Sequence, residues 1–120
     1  MFHRIGALFY FLWGLLHLAA AYEAYRIALT TAPGLTQGRL EQGAAYVAVF
    51  AVTAILVAAF KNWFNSKSGY WINLAVVSAA DIPFIFFVLL PGYMPLWPGA
   101  LGPVLWIGGV AFTTVGWRGR

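Results

Sequence analysis

The stretch Tyr70-Trp-Ile-Asn-Leu-Ala-Val-Val-Ser-Ala-Ala-Asp-Ile-Pro-Phe-Ile-Phe-Phe-Val-Leu-Leu90 decides the fold class. It carries one charged residue, Asp81, and lacks the period-two alternation of a barrel strand. As a helix rising ~1.5 Å per residue it would cover ~30 Å, the thickness of the hydrocarbon layer of a bilayer. In that layer each backbone N–H and C=O must be bonded within the protein, so a lone apolar run of this length folds as a helix.

Three further runs read the same way, from about Ile5 to Thr30, from about Gly43 to Phe60 and from about Ala100 to Trp117. The connections are short, which places successive helices side by side. The expectation is an all-α integral membrane protein, an up-down four-helix transmembrane bundle forming one domain over residues 1–120, with spans 5–30, 43–60, 70–90 and 100–117. The apolar stretch from Ile5 to Tyr22 is longer than the roughly 7–15 residues of a signal-peptide core, so the first span reads as a retained helix.

Composition agrees. Of 120 residues, 62% are hydrophobic and 8% charged, and the mean hydropathy is +0.81. A soluble domain carries about a quarter charged residues, so a water-facing surface cannot be covered here, and a disordered chain would be far more polar. The absence of cysteine excludes disulfides, thiolate metal sites, iron–sulfur ligation and cysteine nucleophiles. The net charge of +4 comes from scattered cations and is no nucleic-acid footprint.

Those cations set the expected orientation. Arg4, Lys61, Lys67, Arg118 and Arg120 share a side with both termini, whereas the other side holds Arg39 and Arg26. The positive-inside rule then puts both termini in the cytoplasm, most simply at the cytoplasmic membrane of a prokaryote. Trp63, Tyr70, Trp71 and Trp117 fall at the inner interface, and Tyr22, Tyr25, Tyr46, Tyr93 and Trp97 near the outer one. Between the first two spans a polar turn is expected, ended by Pro33 and Gly34, with Glu41 close before the second helix, where the helix dipole favours an acid. Segment Pro91–Pro103 carries no charge and four prolines, so it is expected in the outer interface or against a partner.

With so few ionisable groups, depth is informative. His17 lies twelve residues past Ile5 and Asp81 eleven past Tyr70, on helices running the same way. Both therefore sit ~16–18 Å from the inner end, near the midplane. A carboxyl there costs ~2.5–3.5 kcal/mol on insertion scales and should face inward toward a partner. Candidate partners are His17, the Ser78 hydroxyl and the Ala79 carbonyl that Pro83 leaves without its helical donor, with a kink at that point. Trp13 and Trp106 also lie deep, as packing or as the lining of a pocket for a flat apolar ligand. The expected site is thus Trp13, His17, Ser78, Asp81 and Trp106, with Asp81 and His17 the only catalytic candidates. Glu23 and Arg26, nearer the outer end, are an interfacial ion pair or an outer gate. One histidine without further ligands does not make a metal site, and no cofactor is expected.

Three functions fit these residues. The first is a non-catalytic accessory or structural subunit of a larger membrane complex, or a homodimer, in which His17 and Asp81 lock the bundle. The second is a proton-coupled transporter or carrier of an amphipathic small molecule that uses the same pair. In span number, length and a first-helix acid, Glu23, the chain resembles the small multidrug resistance transporters, which implies that second function. It departs from them in the outward position of Glu23, in its third span and in a cation bias that opposes dual insertion. The third is an intramembrane acid–base enzyme, of isomerase or cyclase type, acting on a lipophilic substrate beside the tryptophans.

Overall fold

A computed structural model describes all residues, Met1–Arg120. The chain is helical, with α1 at Phe2–Leu29, α2 at Leu35–Phe60, α3 at Lys67–Phe84, the short α4 at Leu96–Gly99 and α5 at Leu101–Arg118. A 3-10 turn, Asn62–Phe64, joins α2 to α3, and a π turn, Ile85–Leu89, prolongs α3. Three helical stretches, Phe2–Leu29, Leu35–Phe64 and Lys67–Leu89, are long and apolar enough to cross a membrane. The fourth expected stretch is helix α5, which holds Pro103, four glycines and two threonines and is not among those three. The molecule measures 52 × 25 × 17 Å, longer than the ~30 Å of hydrocarbon.

Boundaries differ from the hydropathy reading where helices leave the apolar layer. Helix α2 begins at Leu35 rather than near Gly43, so most of the expected polar turn is helix. The tight part is Thr30–Gly34, where Gly34 adopts φ +151°, a conformation that glycine alone takes without strain. Gln37 fastens the start of α2 by donating to the carbonyls of Ala28 and Thr31 at the end of α1. Glu41 consequently stands in the second turn of α2, beyond the first turn to which dipole stabilisation is confined. At the opposite end Asn65, at φ 56°, reverses the chain, and Ser66 caps α3 by accepting from the Gly69 N–H. Past Pro83 the helix widens, with Leu90 N–H reaching the carbonyl of Ile85 and Tyr93 N–H that of Val88.

Packing is inside-out relative to a water-soluble protein. Only 21 of 120 residues are buried, and many of them are small, while Leu12, Val49, Leu56, Trp71, Phe87 and Ile107 point outward. Two heptad stripes organise the contacts. Ala7, Gly14, Ala21 and Ala28 on α1 are buried, as are Ala44, Ala51 and Ala58 on α2. A β-carbon added at Gly14 would fall 2.9 Å from the Ala51 carbonyl oxygen, so the two backbones are close. On an adjacent stripe of α1, three residues at heptad spacing meet three glycines of α5: the His3 backbone against Gly116, the Tyr10 ring against Gly109 and the His17 ring against Gly102. Gly109 and Gly102 leave the room that a ring occupies, Gly116 lets the two backbones approach, and the register is antiparallel. Helix α3 closes the circuit by contacting α2 and α5.

Candidate functional site

One stripe of α3 faces inward, made by Gly69, Asn73, Val77 and Asp81 at intervals of four. This rotation aims Asp81, which is fully buried, at α1. There the Trp13 indole N–H donates to Asp81 Oδ2 at 3.0 Å. His17 Nε2 stands 3.4 Å from Asp81 Oδ1. That contact is not aligned as a hydrogen bond, which leaves Oδ1 the less satisfied oxygen. The imidazole stacks on Trp13 with centroids 3.8 Å apart and 19° between planes. Its Nδ1 lies 2.8 Å from the Trp13 carbonyl oxygen one turn earlier. Gly102 seats the opposite helix on this ring, since a β-carbon there would lie 3.0 Å from His17 Cε1.

The donors and acceptors around His17 constrain where a proton can stand. A carbonyl oxygen only accepts, so His17 Nδ1 is the donor to Trp13. A neutral ring would then turn a lone pair on Nε2 toward Asp81, and a carboxylate would answer with another. A pair holding one proton in common, as imidazolium and carboxylate or as imidazole and carboxylic acid, would avoid that opposition of lone pairs. Either way its net charge is zero, the state that an apolar layer tolerates.

The structure thus joins three of the five expected site residues, Trp13, His17 and Asp81. The other two pair with each other: Trp106 Nε1 donates to Ser78 Oγ at 2.9 Å. Ser78 is accordingly committed to Trp106, and Asp81 is contacted by Trp13 and His17 rather than by that hydroxyl or the Ala79 carbonyl. Trp13 lies in the core with Tyr10, Ala54, Ala58 and Val77, and Trp106 packs against that cluster. Glu23 and Arg26 form an ion pair of 3.4 Å with both side chains more than half exposed. They sit about two helical turns beyond His17.

Two features escaped the sequence reading. Asn73, fully buried, donates to Ala54 O at 3.1 Å and to Asn62 Oδ1 at 2.8 Å, tying α3 to α2 and to the turn between them. An uncharged amide produces little hydropathy signal, although its place four residues before Val77 and eight before Asp81 shows the shared face. The ring-and-glycine heptads were legible as spacing on either helix, and only the register between α1 and α5 discloses that they mate.

No protein-family model matches the chain, and no curated protein or solved structure shows detectable similarity to it.

Proposed function

We propose that this chain is a small polytopic membrane protein with four spans and cytoplasmic termini, acting as a non-catalytic accessory or structural subunit of a larger membrane complex or a homodimer. The observation that carries this reading is the closure around Asp81. Both oxygens face partners from α1, the indole donor is committed, the imidazole is stacked and anchored to its own backbone, and Gly102 covers it. A carboxyl so enclosed ties α1 to α3 beneath α5. Four spans are favoured by the way α5 completes the contacts among α1, α2 and α3, and cytoplasmic termini by the five cations gathered at their end.

A second reading, a proton-coupled carrier of an amphipathic small molecule, draws on the 3.4 Å approach of His17 Nε2 to Asp81 Oδ1 and on the 13% exposure of the histidine side chain. The two separate at Asp81→Asn. An asparagine reproduces the protonated acid: its oxygen accepts from Trp13 while its amide donates to Nε2. A lock needs nothing more, so Asp81→Asn should insert, purify and melt close to wild type, whereas Asp81→Leu, which strands the indole and the imidazole, should lose stability by about 1–3 kcal/mol. If the protein is a carrier, Asp81→Asn would fold as the wild type does yet lose proton-driven uptake in vesicles. Normal folding of Asp81→Leu would refute the lock.

A further inference from the structure

All four ends of α1, α2, α3 and α5 that carry Arg4, Lys61, Lys67, Arg118 and Arg120 lie together, and no carboxylate side chain lies among them. The chain's acidic side chains are elsewhere: Asp81 with His17, Glu23 with Arg26, and Glu41 in α2. Beside this basic end a groove of about 280 Å³ opens between α1 and α2, lined by Ala7, Leu8, Phe11, Ala58, Ala59 and Trp63. It exists because the heptad alanines keep the helices close but fill little space, while Leu8 and Phe11 wall one side. Arg4 stands one turn before Leu8 on the same face of α1, and its guanidinium lies over the Trp63 ring, 4.9 Å from the centroid. Trp63 is therefore shared, with one part lining the groove and its face carrying a cation that no acidic side chain neutralises.

We propose that this groove is a binding site for one anionic phospholipid, with an acyl chain along Ala7, Leu8, Phe11 and Ala59 and the headgroup phosphate at Arg4. The inference rests on the membrane reading above. An all-apolar trough takes a hydrocarbon chain and supplies no partner for a polar ligand. The cation at its mouth selects the sign of the headgroup, and stacking on Trp63 holds the guanidinium plane while its edge donors remain available to phosphate oxygens. Lipids of this charge populate the cytoplasmic leaflet, the side to which the cations assign this end.

The test uses the full chain in neutral detergent, with bound lipid counted by native mass spectrometry after adding phosphatidylglycerol or phosphatidylcholine of the same acyl chains. Phosphatidylglycerol should be retained preferentially, and Arg4→Gln should reduce that preference about fivefold, the effect of one interfacial cation. Ala59→Phe, which fills the trough from an exposed position, should lower retention of both lipids. Arg118→Gln with Arg120→Gln, at the end of α5 where Arg120 lies over Trp117, should leave the preference within about twofold of wild type, because it is Arg4 that stands over Trp63 at the groove's mouth. Equal retention of the two lipids, an unchanged preference in Arg4→Gln, or an equal loss in the Arg118/Arg120 variant would overturn the site, the last in favour of diffuse attraction. If Ala59→Phe does not fold, exposed Arg4 still decides. Release of the wild-type protein from membranes by alkaline extraction would defeat the membrane reading itself, a result separate from any of these.

Discussion

Asp81 faces an insertion cost of ~2.5–3.5 kcal/mol at the centre of a span, offset here by an indole donor and the nearby imidazole of His17. Depth, counted along two parallel runs, brings these two residues to one level from sequence alone. It offers the Ser78 hydroxyl and a freed carbonyl as further partners and does not name Trp13, because that choice depends on how each helix is rotated about its axis. Asn73 makes the same point with a neutral group. Asn73→Ala would leave Asn62 Oδ1 without its donor in a buried position and should lower the unfolding free energy by about 1–3 kcal/mol. Asn73→Asp should cost more, since a carboxylate would confront the Ala54 and Asn62 oxygens; chemical denaturation in detergent measures both.

Among the elements, α1 is central because it presents a different stripe to each neighbour: small residues to α2 and rings to α5. The glycines of α5 therefore differ in consequence from those of α2. A β-carbon at Gly109 would lie 2.6 Å from the Tyr10 ring and one at Gly102 3.0 Å from His17, whereas one at Gly43 meets nothing within 4 Å. Gly109→Ala should destabilise by about 1–3 kcal/mol, Gly102→Ala by less, and Gly43→Ala should be neutral or stabilising by up to about 1 kcal/mol as helix propensity rises. Thermal melts of the three variants would rank them, and a Gly109→Ala protein as stable as wild type would contradict the ring-in-glycine register. Boundaries were less legible than the elements themselves. Hydropathy marks where a helix meets lipid, and α2 runs about two turns further, its polar start held by Gln37.

For the whole molecule the charge distribution carries the prediction. Because the chain has no cysteine, single cysteines report topology cleanly. An impermeant maleimide added to intact cells should label Thr36→Cys, in the exposed first turn of α2, and spare Ser68→Cys until the cells are opened. Labelling of both at once, or of Ser68→Cys alone, would reverse or abolish the orientation assigned to the five cations.

Helicity, the apolar spans and the common depth of His17 and Asp81 follow from the order of residues, because a backbone in hydrocarbon must bond along its own chain and a helix converts position into height. Lateral partnership does not follow. Helices that are apolar all round give no hydropathic sign of which face turns inward, so rotation and register are settled by where small residues let neighbours approach. That packing put the Trp13 indole on Asp81, Trp106 on Ser78, Asn73 on Asn62 and the Tyr10 and His17 rings of α1 against Gly109 and Gly102 of α5.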